Sequence, residues 1–192
     1  MKKIIVLLII FLFTACDNTS QINYRQQSEI INKGKIQQKE AKNILGTYST
    51  KLTDKTEGRL HNINLGVSIL NGTQVQPGAI FSFNDTIGER SEKTGFKEAT
   101  IFDGHGNKTQ GYGGGLCQIS STLYNAVVGA SLPVEERHQH SHSVPYVNEG
   151  DDATVSYYDN EDFRFTNTLD VPITIYASAE DDKVTVTLKK SK

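Results

Sequence analysis

Apolar positions divide the chain into three stretches of different character. Residues 4–13 form an unbroken apolar run behind Lys2 and Lys3, residues 17–43 are polar with scattered isoleucines, and from Ile44 onward apolar residues recur with regular periods. In that last stretch Leu60, Ile63, Val67 and Leu70 fall on one helical face and Gly72 is placed to stop it, which predicts an amphipathic helix over residues 57–71. A Pro77-Gly78 turn leads into a β-rich segment, 79–83. After Gly113-Gly114-Gly115 the stripe Leu116, Ile119, Leu123 and Val127 predicts a second helix with a buried face. Segments 154–157, 163–165, 173–176 and 184–188 are β-branched or aromatic and are separated by turn residues. These elements imply an α+β class: one domain over residues 44–192, two helices followed by a mainly antiparallel sheet.

The apolar run at the start has the length of a secretion signal. About ten residues cannot cross a hydrocarbon core of ~30 Å, whereas a basic start, an apolar run and the small residues Thr14-Ala15 before Cys16 suit a cleaved leader. Phe13-Thr14-Ala15-Cys16 resembles a bacterial lipobox, with phenylalanine where leucine is usual. The expectation is a lipoprotein signal peptide over residues 1–16, lipid on Cys16, and a polar spacer over residues 17–43. That makes the protein exported and anchored to the cell membrane, facing the wall or periplasm. A plain secretory signal ending near a cysteine is the other reading of the leader, and a short solvated helix from Ser28 to Ala41 the other reading of the spacer.

Charge then removes one class of function. A net charge of −2, with no basic block and no tryptophan, gives no footprint for nucleic acid.

With Cys16 consumed by lipid, Cys117 has no partner for an internal disulfide, because the chain has 2 cysteines. Its place in GYGGGLCQISSTLYNA is the first turn of the predicted second helix, where unpaired N–H groups and the helix dipole favour an anion. A thiol in such a place can be lowered from about 8.5 to between ~3.5 and ~7.5. Gly114 and Gly115 let backbone N–H groups approach a substrate carbonyl, as an oxyanion hole requires, and Gln118 offers a further donor. No Lys-Ser or Lys-Thr follows the glycines, so they are not a phosphate loop. The plain alternative for Cys117 is a buried small residue.

A nucleophilic thiol needs a base, and 3 of the 5 histidines stand in ERHQHSHSVPY as His138, His140 and His142. Their alternate spacing puts them on one face of an extended strand. Three readings stay open for them: a solvated edge, a zinc site sharing Cys117, or a base oriented by Glu136 or Asp152. His61, on a helix, and His105, in a glycine-rich loop, have no such company.

RLHNINLGVSILNGTQVQPGAIFSFNDTIGER, GYGGGLCQISSTLYNAVV and ERHQHSHSVPYVNEGDDATV, in this order, resemble the VanW domain of bacterial cell-envelope proteins. The resemblance covers residues 44–192. It implies that the recurrent histidine of the family's R-x-x-H-S pattern is His140, following Arg137, and that Asp152-Ala153-Thr154 is the family's Asp-Ala-Thr. Asp151 departs from it, standing where arginine or a neutral residue is expected. The activity implied is L,D-transpeptidase-like crosslinking of peptidoglycan stem peptides, with Cys117 as nucleophile, His140 as base and Asp152 or Glu136 orienting it. Gly114, Gly115, Gln118 and Arg137 are then the expected oxyanion and substrate contacts, with no cofactor and no metal. A non-enzymatic wall-binding or glycopeptide-resistance accessory role and a wall cysteine peptidase or amidase are the alternatives.

Overall fold

Val184, Val186 and Leu188 alternate with Lys183, Thr185 and Thr187, and in the computed structural model of the protein this alternation is a strand with its apolar side turned into the core. The structure describes residues 25–35, 38, 42–102 and 107–191. The leader, Cys16, part of the polar stretch and His105 lie outside these residues. The chain divides into two units, Met1–Asn43 and Ile44–Lys192. In the first, residues 25–35 are helical, with Ile30 and Ile31 exposed.

The second unit runs β1 (Ile44–Lys51), α1 (Glu57–Leu70), β2 (Gln74–Val75), β3 (Ile80–Ser82), α2 (Phe83–Ile87), a 3-10 turn (Glu92–Thr94), β4 (Glu98–Phe102), β5 (Lys108–Tyr112), α3 (Leu116–Gly129), β6 (Val134–Glu136), β7 (Arg164–Thr166), β8 (Ile173–Glu180) and β9 (Lys183–Lys190). Its antiparallel strands form sheets ordered β1-β9-β8-β2, β3-β7-β6 and β4-β5. The class is α+β. Asp181 and Asp182, both at positive φ (50° and 59°), close the β8–β9 hairpin in two residues, the geometry that matches strand twist.

Both long helices lie against the largest sheet. α3 packs on β1 and β9, and Gly46 permits the approach: a Cβ there would fall 2.2 Å from the Ala126 carbonyl oxygen. The predicted stripe Leu116, Ile119, Leu123 and Val127 is buried, and so is much of the helix's polar sequence. Thr122 is hydrogen-bonded to Thr50 of β1 at 2.8 Å. α1 buries Ile63, Val67 and Leu70 against β8 and α3, with Gly66 facing Leu116 and Ile119.

Three expectations shift. Segment 79–83 is a strand only to Ser82, because the Ser82 hydroxyl accepts the Asp85 N–H and starts α2 at Phe83. Segment 154–157 forms single bridges, His138 with Thr154 and Ser156 with Glu161, rather than a strand. The histidine stretch is likewise no strand beyond Glu136; residues 139–142 bend away as a loop.

Candidate active site

The glycines before α3 are there because side chains do not fit. Gly113 and Gly115 have φ of 85° and 112°, in the region L side chains rarely adopt. A Cβ on Gly114 would lie 2.7 Å from the Thr100 carbonyl oxygen, and one on Gly115 would lie 2.8 Å from Ile63 Cγ1. The loop is thus pressed between α1 and β4. Fully buried Asn62 staples it by donating to the carbonyls of Gly114 (3.2 Å) and Lys97 (2.9 Å) while accepting the Lys97 N–H (2.8 Å). Gly115 caps the helix with no side chain, and of the first-turn N–H groups those of Leu116 and Gln118 go to the Gly113 and Gly115 carbonyls (3.1 Å each).

Cys117 sits in that first turn, half-buried. Its sulfur lies 3.6 Å from the Thr154 hydroxyl and 3.6 Å from the Val155 carbonyl oxygen, with the His140 ring close enough to favour its charge. The backbone carrying Thr154 is fixed by the helix itself. Ser120 donates to the Ala153 carbonyl at 2.5 Å, and Ser121 accepts the Ala153 N–H at 2.9 Å while donating to the Cys117 carbonyl at 2.6 Å.

Asp152 orients His140. Its Oδ2 accepts both the His140 main-chain N–H (2.7 Å) and the ring Nδ1–H (2.6 Å), leaving Nε2 as the nitrogen for sulfur. Arg137 in turn holds the backbone of Asp152: its Nε donates to the Asp152 carbonyl at 2.6 Å and its Nη2 to the Gly150 carbonyl at 2.6 Å. The guanidinium lies 4.6 Å from the Tyr124 ring centroid, on α3, so the orienting chain is anchored on the helix that carries Cys117.

These contacts set the charges. Burial pushes the Cys117 thiol up, but the hydrogen bond and charge of His140, with help from the Val155 main chain and the Thr154 hydroxyl, bring it below its ordinary value. Burial alone would lower His140; the sulfur and the Asp152 carboxylate raise it instead. For Asp152, too, burial raises and the His140 contacts outweigh it, so the carboxyl is held low. The two shifts favour a thiolate–imidazolium pair. Alkylation of Cys117 by iodoacetamide, followed against pH, is therefore expected to rise with a midpoint below the value of about 8.5 for a free thiol. A midpoint at or above that value would mean that burial outweighs His140.

Beside the sulfur opens a cavity of about 890 Å³, whose walls include Gly113, Gly114, Cys117, His140, Tyr146 and Arg90. Its size suits an extended peptide segment.

The family model described as VanW like protein matches residues 58–189, the stretch that holds all of these groups. The chain belongs to the VanW family. It is 42% identical over 147 residues to YoaR of Bacillus subtilis, an uncharacterized protein, over 77% of this chain and 48% of that one. It is 29% identical over 133 residues to the vancomycin B-type resistance protein VanW of Enterococcus faecalis, over 67% of this chain and 48% of that one. The chain spans about half the length of these relatives. No solved structure matches it.

Within this VanW-family domain the residues expected at the site divide. Cys117, His140 and Asp152 are brought together, with Gly114 and Gly115 at the cavity wall. Gln118 is fully buried and its amide is taken up internally: Nε2 donates to Thr50 Oγ1 (3.1 Å) and the Lys51 carbonyl (3.0 Å), and Oε1 accepts from Arg59 (2.9 Å). It is a fastener between α3, α1 and β1, not a free oxyanion donor. Arg137 is corrected in the same way, from substrate contact to support for Asp152. The three histidines part company. His138 pairs with Glu136 at 2.9 Å, which removes Glu136 as the orienting carboxylate, while His142 stacks on Phe102 with ring centroids 3.8 Å apart. Among the described residues no group of three or more His, Cys, Asp or Glu side chains is placed to hold a metal ion. Asp151 points its carboxylate to Asn148 (3.2 Å). Sequence reasoning missed Arg90 and Tyr146, both in the cavity wall. Burial and the sulfur's charge push the Tyr146 hydroxyl far up, so it stays a neutral phenol beside Cys117.

Proposed function

We propose that this domain is a cysteine acyltransferase of the cell wall, working on peptidoglycan stem peptides in the manner of an L,D-transpeptidase, and held at the membrane through lipid on Cys16. One observation carries the reading: a thiol in a glycine-entered helix turn, next to an imidazole that a buried carboxylate orients, beside a cavity of peptide size.

The Cys117 thiolate attacks the carbonyl that precedes the terminal D-alanine of a tetrapeptide stem. A C–S bond forms, and the tetrahedral oxyanion lies against main-chain N–H groups near Gly114 to Cys117. His140, protonated in the resting pair, gives its proton to the departing nitrogen as the C–N bond breaks, and D-alanine leaves. An amine from a neighbouring stem then adds to the thioester and loses its proton to His140. Collapse forms the new amide and returns the thiolate. A thioester suits this sequence because it persists long enough for an amine to compete with water. Tethering to the membrane places the domain beside its polymeric substrate.

Incubating the protein with tetrapeptide-stem fragments and weighing it should reveal an adduct equal to the stem less D-alanine, absent in Cys117→Ser. With an added amine acceptor, joined products are expected. Hydrolysed stems alone would assign a peptidase, and no adduct with any stem on reduced, folded protein would sink the enzymatic reading. Kinship with a vancomycin-resistance protein supports a second reading, an accessory wall-binding role. In that case Cys117→Ser leaves wall binding and resistance unchanged.

A further inference from the structure

One buried cation of the cavity wall has no counter-ion in contact. Arg90 is 6% exposed, and its Nη2 donates to Asn84 Oδ1 at 2.7 Å. Nη1 is buried without a hydrogen-bond partner, and among the described residues the guanidinium makes no salt bridge. An unpaired guanidinium edge is costly to bury.

The protein nevertheless builds the position with care. Asn84 is locked by donating its amide to the carbonyls of Ser156 (3.2 Å) and Glu161 (2.9 Å), so its Oδ1 is a fixed acceptor for Arg90. The Tyr157 ring centroid lies 5.5 Å from the guanidinium carbon. Gly113 makes room for the stem: a Cβ there would stand 2.7 Å from Arg90 Cγ. Arg90 is thereby laid against the entry to α3. Burial works against its charge, while the Cys117 sulfur and the Asp162 carboxylate support it. Asp162 is already engaged, accepting from Ser82 (2.5 Å), the Asn84 N–H (2.8 Å) and the Phe163 N–H (2.8 Å). The sulfur's contacts are His140, Thr154 and Val155, so Arg90 faces it without bonding to it.

A guanidinium edge is shaped for a carboxylate. In a peptide attacked at its penultimate carbonyl, the terminal carboxyl carbon is three bonds further on, about 3–4 Å away. We propose that Arg90 is a specificity-determining residue whose Nη1 edge takes the free C-terminal carboxylate of the donor peptide, one residue beyond the bond that Cys117 attacks. This rests on the acyl-transfer reading and narrows it: the domain works on peptide ends, and chain interiors and amidated termini are poor donors.

The test reads binding on the full chain carrying Cys117→Ala, which cannot form a thioester. A tetrapeptide stem ending in D-alanine, as free acid and as C-terminal carboxamide, is titrated by calorimetry. The free acid is expected to bind roughly 10- to 100-fold more tightly, as for a charge-assisted hydrogen bond in a buried site, and Arg90→Gln should level the two. Arg90→Lys, which keeps the charge, should retain part of the preference. Equal binding of acid and amide, or no binding of either, overturns the carboxylate anchor without any use of an Arg90 variant. A preference unchanged by Arg90→Gln also overturns it, and a moved pH midpoint of Cys117 alkylation in Arg90→Gln protein that keeps Cys117 would then assign Arg90 to the sulfur alone. Adduct formation on unaltered Cys117 judges acyl transfer separately.

Discussion

Replacing His140 by alanine is expected to slow acylation of Cys117 by stem-peptide fragments roughly 100- to 10,000-fold, the range over which a positioned acid–base group contributes. Two losses combine. Without the imidazole, burial's upward push on the thiol is no longer outweighed, so little thiolate remains at neutral pH. In the proposed transfer the departing D-alanine nitrogen also loses its proton donor. Alkylation by iodoacetamide needs only the thiolate, whereas acylation needs both, so the variant should lose more acylation than alkylation at the same pH. Asp152→Asn separates positioning from chemistry. An amide can no longer accept from both the His140 N–H and its ring with full negative charge, and acylation should fall while the ring stays present. The measurement is the rate of adduct formation by mass at fixed pH. Acylation of His140→Ala within about threefold of the unaltered rate, well short of the contribution expected of a general base, would remove His140 from the chemistry.

How far the sequence foretells this arrangement depends on where each hydrogen bond is made. α3 is readable because its apolar residues recur on one side, and β8 and β9 because one face of the sheet is buried. β1 is not, since its exposed face carries Thr47 and Ser49 paired with Thr187 and Thr185 and only Leu45 and Tyr48 among its apolar residues pack, partly buried, against the core. The β4–β5 hairpin is mostly polar and exposed for the same reason. His138, His140 and His142 have the period of a strand, yet the Asp152 carboxylate captures both the backbone and the ring of His140 from 12 positions away and bends the segment. Gln118 and Arg137 illustrate a different obscurity. A polar side chain that fastens the interior and one that meets substrate have the same letter, and only their partners tell them apart. Arg90 is the converse case, lying within the FSFNDTIGER segment without periodicity to single it out.

Asp162→Ala is expected to destabilise the domain by roughly 2–5 kcal/mol, since each buried donor left without an acceptor costs about 1–3 kcal/mol. Asp162 is the meeting point of three chain segments: its carboxylate receives the Ser82 hydroxyl and the Asn84 N–H at the β3–α2 junction and the Phe163 N–H at the start of the β7 approach. Its own N–H goes to Glu136 on β6 at 3.1 Å. Alanine leaves the N–H groups of Asn84, in α2, and Phe163, just before β7, buried with no acceptor, and Ser82 loses the partner that complements its role as helix cap. Asp162→Asn keeps an oxygen acceptor and should recover a good part of the loss. The chain has no tryptophan, so the comparison is made by urea unfolding followed by far-ultraviolet circular dichroism. Because Asn84 is the acceptor for Arg90 Nη2, the folded fraction of Asp162→Ala should also bind free-acid stems more weakly than the parent, whereas a packing loss elsewhere in the sheet leaves that preference intact. A loss under about 0.5 kcal/mol would mean that water reaches these donors, and that the junction holding Arg90 is not sealed as its contacts indicate.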